Sequence, residues 1–270
     1  MKYKLLATDI DGTLLDSKKI IPSRNIDVLY RLRDKGIKIM FSTGRTMESA
    51  ISYAASIDLE PSIAGSNGAI VAYEQHLQYY HLDKEEIIDY AKKCEELDLY
   101  YLIITEDTSY YYRSLDSYFE FYEDNAMVNN SAVLQKELFE SIHQISNQED
   151  LNRIIKFDIF QKDDRLRWVN TFLNYDHYSV VNPDNHYIEL TGKKVNKGYA
   201  VKEVAEYYDI PMESVVAIGD SENDLSMFKD AGLSIAMGNA QDKIKIRAQM
   251  VTSTNDQCGF ANAIELLGVI

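Results

Sequence analysis

The sequence predicts an α/β fold: a central parallel sheet whose chain is interrupted by an inserted α+β module. Three observations carry that reading. Apolar runs at residues 4 to 10, 36 to 44 and 214 to 220 each end in polar residues, helical periodicity follows them, and from about 83 to 189 this alternation stops. Short, nearly continuous apolar runs are what strands covered on both faces require.

Residues 4 to 10, KLLATDI, form the first strand and deliver Asp9 to its carboxyl end. The following helix has Ser23 as its expected cap, Ile26, Leu29, Leu32 and Arg33 along a mixed face, and Gly36 as its stop. GIKIMFSTG, 36 to 44, is a second strand, and a helix opening near Thr46 to Glu48 and ending near Ile57 completes a strand-helix-strand-helix unit. SIAGSNGAIVAY, 62 to 73, predicts a third strand, a Gly-Asn-Gly turn region and the start of a hairpin continued by QYYHL.

Within 83 to 189 the pattern predicts a helix at 84 to 97 and strands near 100 to 105, 110 to 113 and 153 to 160. Helical stretches are expected near 131 to 146 and 163 to 174, an α+β arrangement. Parallel winding returns with a helix in VNKGYAVKEVAEYYDI and a strand in SVVAIGD. A short helix in LSMFKDAG, a strand and turn in LSIAMGNA and a last strand in QMVTST follow. Residues 1–82 and 190–270 are therefore assigned to one core and 83–189 to the inserted module.

A length of 270 residues suffices for a core domain with such an insertion. The net charge of −15 repels nucleic acid and anionic membrane, and it repels a phosphate ligand as well. An acidic phosphate-handling protein therefore needs local positive charge from a divalent cation and one or two basic residues. Cys94 and Cys258 lack CxxC spacing and are expected to be reduced packing residues of a cytoplasmic protein. The first residues read as a short strand without the length of a signal sequence, and no membrane-spanning run follows.

Asp9 and Asp11 lie two apart at a strand end where Gly12 and Thr13 let the chain turn away. Ligands of open parallel sheets bind outside the carboxyl ends of the strands. Two carboxylates this close tend to separate in pKa, one staying ionised as nucleophile and the other able to hold a proton. A solvated Asp-Gly turn is the plainer alternative. GDSEND, with Asp220, Asn223 and Asp224, marks a second strand end whose hard oxygen ligands suit Mg²⁺, although Ser221 or Asn223 could simply cap a helix. STGR offers the Thr43 hydroxyl, backbone N–H groups and a helix start to phosphate oxygens. Arg45 could bind substrate or pin the loop by pairing with an acid. Lys197, beside Gly198 at a helix start, is a point charge suited to holding a nucleophile and a phosphoryl group together, or a plain surface lysine.

In order, DIDGTLLD, STGR, SNGA, VNKG and GDSENDLSM resemble the haloacid dehalogenase superfamily, specifically its Cof-type phosphatases with a large cap after the third core strand. The resemblance spans essentially the whole chain. It implies a Rossmann-like core with a substrate-specificity cap and a Mg²⁺-dependent hydrolysis of small phosphorylated metabolites, sugar phosphates first, through an aspartyl phosphate. Asp9 matches the nucleophile and a metal ligand; Asp11 matches the general acid and base and gives the metal its backbone carbonyl. Thr43 matches the hydroxyl that binds the transferring phosphoryl group, Lys197 the lysine that neutralises it, and Asp220 the metal-ligating carboxylate. Asn223 and Asp224 match supporting residues, Asn67 an asparagine near the phosphoryl site, and Gly12, Gly44 and Gly219 backbone positions of these loops.

No GxxxxGK[ST] motif supports a P-loop hydrolase, and no His/Cys grouping supports zinc chemistry. A phosphomutase, which returns the phosphoryl group to a second hydroxyl, and a non-catalytic phosphometabolite-binding protein remain alternatives. A monomer or weak homo-oligomer is expected. In the insertion, Tyr110 to Tyr112 with Arg113, Lys156, and Asn182 to Tyr187 offer stacking or hydrogen-bonding groups for the leaving part of a substrate, beside plain structural roles.

Overall fold

The structure, a computed structural model, describes residues 2–113, 135–161, 163–184 and 187–268. Two compact units emerge, Met1–Gln78 with Asn196–Ile270, and Tyr79–Val195. Among the described residues no helix is long and apolar enough to cross a membrane.

The chain opens with β1 (Leu5–Thr8), buried along its length, then α1 (Ser23–Asp34). Pro22 takes the cap position of α1 and Ser23 is its first helical residue, because the fixed proline φ leads the chain in without a side-chain bond. Gly36, at φ +73°, ends that helix in the left-handed region. β2 (Lys38–Ser42) leads to α2 (Met47–Ser56), whose cap Thr46 accepts a hydrogen bond from Ser49 N. β3 (Ser62–Gly65), β4 (Ile70–Tyr73) and β5 (His76–Tyr79) complete this part, with Glu74 at φ +51° in the turn of the final hairpin.

The second unit starts with α3 (Lys84–Glu96), capped by Asp83 through Glu86 N at 2.9 Å. Its sheet contains β6 (Tyr100–Thr105), β7 (Thr108–Tyr112), β8 (Gln135–Phe139), β9 (Ile154–Phe160), β10 (Tyr178–Asp184) and β11 (Tyr187–Gly192). The strand order is β10-β11-β9-β6-β7-β8. One expectation changes here. Where a helix near 131 to 146 was expected, residues 135–139 form a strand, followed by a 3₁₀ turn at Ile142–Gln144; residues 131–134 lie outside the described part. Lys136, Glu137 and Leu138 favour a helix locally, but parallel pairing with β7, Tyr110 opposite Glu137 and Tyr112 opposite Phe139, overrides that preference. The helical stretch expected near 163 to 174 is present as a 3₁₀ helix at Asp164–Thr171, while the β10–β11 hairpin was not anticipated.

Alternation along the strands sorts this sheet's faces. Tyr101, Ile103, Tyr110, Tyr112, Phe157, Ile159, Ile188 and Leu190 form one core cluster with Ile87, Ala91 and Cys94 of α3. Leu151, Leu166 and Val169 of the 3₁₀ segments join the same cluster.

The chain re-enters the first unit through α4 (Lys197–Tyr207), capped by Asn196 through Tyr199 N at 2.9 Å. β12 (Val215–Gly219), α5 (Leu225–Asp230), β13 (Leu233–Ala236), α6 (Asp242–Lys245), β14 (Met250–Val251) and α7 (Gly259–Leu266) follow. The sheet order is β14-β13-β12-β1-β2-β3-β4-β5. β14 through β3 pair in parallel, and β4 turns antiparallel to β3. β1 therefore lies between the strands that precede the insertion and those that follow it. This is the topological switch point, where the crevice outside the strand ends is the natural ligand position.

Candidate active site

The register of β1 and β12 brings two acidic strand ends together. Thr8 pairs with Ile218, Asp9 N donates to Ile218 O at 3.0 Å, and the chains then leave the sheet at Asp9 and Asp220. Gly12, at φ +72°, makes the turn, and a Cβ there would stand 2.4 Å from Asp220 Oδ2. Only glycine lets the Asp11–Thr13 loop lie this close to the second strand end. Gly219 has a like role, since its Cβ would meet Asp224 Cγ at 2.3 Å.

Lys197 is completely buried, with Nζ 2.6 Å from Asp9 Oδ1 and 2.7 Å from Asp224 Oδ1. Asp224 Oδ2 accepts from Asp220 N and Ser221 N, both at 2.9 Å, so both oxygens of Asp224 are occupied in holding the lysine and the loop. Asp220 Oδ1 accepts from the Thr13 hydroxyl at 3.1 Å, while Asn239 Nδ2 donates to Gly12 O at 2.8 Å and approaches Asp220 Oδ2 at 3.4 Å. Asp9, Asp220 and Asp224 each present an oxygen within 4.8 Å of the others.

Burial pushes the Asp9 carboxyl well above the usual carboxylate range; Lys197 opposes this, and Asp224, Asp220 and Asp11 add to the rise. Burial with the Asp224 charge likewise pushes Asp220 up to about 7. Burial would lower the Lys197 ammonium, but Asp224 and Asp9 outweigh it and raise it. One ammonium among these carboxylates leaves the pocket short of positive charge. That shortage and the hard oxygen donors fit a divalent cation, held by Asp9 and Asp220, whose oxygens are not all committed.

Asp11 is held differently. Its carboxylate receives Arg45 Nε at 2.5 Å and Nη2 at 2.6 Å, and Lys19 Nζ lies 3.1 Å away. Burial pushes this carboxyl up, but the Arg45 hydrogen bonds and charge, with Lys19, prevail and hold it below the usual range. Arg45 itself bonds Ser49 Oγ at 3.1 Å and stacks over Tyr53 at 4.9 Å from the ring centre. Of the two readings open for Arg45, pairing with an acid is the arrangement present.

The STGR and SNGA loops meet as well. Thr43 Oγ1 accepts from Arg45 N at 3.1 Å, and Asn67 N donates to Thr43 O at 2.9 Å. Asn67, at φ +56°, turns its Oδ1 to Asn223 Nδ2 at 2.9 Å, and a Cβ on Gly44 would stand 3.3 Å from that oxygen. Every core residue singled out from the sequence thus lies in one contiguous network at the strand ends. Sequence reasoning gave Thr13 only a part in the turn and missed Lys19 and Asn239. Asn239 comes three residues after the end of β13, whereas Asp9 and Asp220 each come one residue after β1 and β12, so its place along the chain does not mark it.

The family model for haloacid dehalogenase-like hydrolases matches residues 6–264. Phosphatase YwpJ of Bacillus subtilis is 30% identical over 98% of this chain and 99% of its own length. The 5-amino-6-(5-phospho-D-ribitylamino)uracil phosphatase YitU of the same organism is 28% identical over 98% of this chain and 97% of its own. A solved haloacid dehalogenase-like hydrolase from B. subtilis superposes with a TM-score of 0.84 at 28% identity, covering 97% of this chain and 99% of that one.

Proposed function

The chain belongs to the haloacid dehalogenase-like hydrolases, as an enzyme of their phosphatase group, and we propose that it hydrolyses phosphomonoesters of small metabolites with Asp9 as nucleophile. The observation that carries this reading is the Asp9–Lys197–Asp224 chain beside Asp220: a buried carboxylate aimed by an ammonium at the mouth of a parallel sheet. Asp9 attacks phosphorus while the ester oxygen leaves with a proton from Asp11, giving an aspartyl phosphate. Asp11 then takes a proton from water, whose oxygen attacks phosphorus and releases phosphate with the Asp9 carboxylate restored. Lys197 offsets charge on the phosphoryl oxygens, the Thr43 hydroxyl donates to one of them, and Asn67 orients the same loop. Asp11 can do this only if Arg45 loosens its two-pronged grip, because both oxygens are held in the present arrangement. A Mg²⁺ ion held by Asp9 and Asp220 would supply the positive charge the pocket lacks and draw the phosphoryl oxygens toward the nucleophile.

For the substrate we propose a phosphorylated sugar or sugar alcohol, selected by the unit Tyr79–Val195. The phosphoryl loops of the other unit see little beyond the phosphate, so discrimination needs groups elsewhere. The relative named for a phospho-ribitylamino compound supports this class. Cys94 and Cys258 are both free, which fits a reducing compartment such as the cytoplasm. A phosphate-release screen over sugar phosphates, sugar-alcohol phosphates, cofactor phosphates and nucleotides, with Mg²⁺ present, tests the reading. Release confined to small sugar or polyol phosphates supports it; no release from any compound sinks it.

A further inference from the structure

The turn at residues 16 to 20, just past the Asp11 loop, is built to aim one cation at the site. Asp16 N donates to Ile20 O and Lys19 N to Asp16 O, both at 3.0 Å. Asp16 Oδ1 also accepts from Lys18 N at 2.9 Å and from Ile20 N at 3.0 Å. Ser17 N donates to Asp256 Oδ1 at 2.7 Å, which pins the turn to the chain ahead of α7. At its corner Lys19 has φ +60°, the left-handed region that glycine and asparagine occupy easily and lysine does not. A turn that only reversed the chain would be served better by glycine. Backbone strain kept beside a reaction centre points to a task for the side chain that bears it.

That side chain reaches Asp11, with Lys19 Nζ 3.1 Å from Oδ1. Asp11 does not need it. Arg45 already meets the single Asp11 charge through Nε and Nη2, and Ser49 and Tyr53 hold the guanidinium in place. Lys19 therefore brings a positive charge beyond the one that Asp11 balances, and among the described residues Asp11 is its only ion-pair partner. Its side chain is 29% exposed against 6% for Arg45. A lysine ammonium on a flexible stem, partly open to solvent, changes partners more readily than a buried two-pronged guanidinium. In a chain of net charge −15, a surplus cation beside the reacting carboxylates is the local exception that an anionic ligand requires.

We propose that Lys19 is a substrate-binding residue whose ammonium passes from Asp11 Oδ1 to an anionic oxygen of the incoming phosphoryl group, leaving Asp11 paired with Arg45 alone. The inference rests on the phosphomonoesterase reading above and adds a residue to it. In that reading the phosphoryl group sits between Asp9, which attacks, and Asp11, which protonates the leaving oxygen. An ammonium in contact with Asp11 therefore lies beside that group. A phosphoryl dianion attracts it more strongly than a carboxylate whose charge a guanidinium already offsets. The phosphoryl oxygens carry this charge in the ground state and the transition state alike, so the contact acts on binding and shows in KM more than in kcat.

The test uses the full chain with Mg²⁺, p-nitrophenyl phosphate for turnover and inorganic phosphate for binding by calorimetry. No turnover by the wild type counts against the phosphatase reading, while phosphate binding still reads this contact. Lys19→Gly removes the ammonium at a φ that suits glycine, so the charge is lost without backbone strain. KM and the phosphate Kd should both rise about tenfold or more, the size of one charge-assisted hydrogen bond, with a smaller change in kcat. Lys18, its exposed neighbour, is the control: Lys18→Met removes an equal charge from the same turn and should leave both constants within about twofold. Unchanged KM and phosphate Kd in Lys19→Gly overturn the proposal, above all if Tm falls, since that is the signature of a purely structural ion pair. An equal loss in Lys18→Met overturns it too, because overall charge would then suffice. Should Lys19→Gly fail to fold, Lys19→Met takes the same measurements, and wild-type phosphate affinity in it is equally fatal.

Discussion

Asp9 and Lys197, 188 residues apart in the chain, meet at 2.6 Å in a fully buried ion pair that joins the end of β1 to the head of α4. The same ammonium holds Asp224, so one side chain aims the nucleophile and braces the loop that carries Asp220.

Replacing Lys197 with methionine keeps most of the volume and removes the charge. Turnover should fall by about 10²- to 10³-fold, the range seen when a positioned electrostatic donor is lost. Stability should fall by about 3 kcal/mol or less, because Asp9, already raised in pKa by burial, can take up a proton in place of the lost partner. Denaturant unfolding and steady-state rates check both halves; wild-type activity in the variant would contradict the role given to the ammonium.

Arg45→Ala should shift the basic limb of the pH–rate profile. Arg45 and Lys19 hold Asp11 below its usual pKa, which makes the protonated form that the first step needs scarce in the wild type. Without the guanidinium the Asp11 carboxyl rises and keeps its proton to higher pH, so kcat/KM should begin to fall at a higher pH on the basic side. A basic limb that stays put, measured as kcat/KM across pH, would mean that Asp11 is not the proton donor.

Asp220→Ala should weaken apparent Mg²⁺ affinity, and exhaustive chelation of the wild type should remove turnover. Ca²⁺ should support little activity, since its larger and looser coordination would misplace the phosphoryl group. Metal titrations followed by calorimetry as well as by rate separate binding from catalysis. Unchanged affinity in the variant would remove Asp220 from the site.

Much of this architecture was legible because the parallel strands announce themselves. KLLATDI, GIKIMFSTG and SVVAIGD are apolar runs ending in polar residues, and the structure finds β1, β2 and β12 in them with Asp9, Thr43 and Asp220 at or just beyond their ends. Less legible were features that depend on partners distant in the chain. Nothing in STGR alone says that Arg45 faces Asp11 rather than a ligand, and Thr13 and Asn239 become visible as supports of Asp220 only once β1, β12 and β13 lie side by side. Gln135–Phe139 carries helix-favouring residues and was misread, because pairing with β7 is set by a neighbour and not by local preference. In the β10–β11 hairpin, Pro183 and its polar neighbours conceal strands that the register of Val180 with Leu190 makes plain.

The central claim is that the Asp9 carboxylate becomes covalently phosphorylated. The most direct measurement is acid-quench trapping with Asp11→Asn and an aryl phosphate, whose good leaving group needs no proton donor, followed by peptide mass spectrometry. A hydroxylamine-sensitive phosphoryl group on the peptide containing Asp9, absent when Asp9 is also changed to Asn, is the predicted result. If that trapped label appears on any other residue, or forms equally with Asp9→Asn, the nucleophile assignment is contradicted.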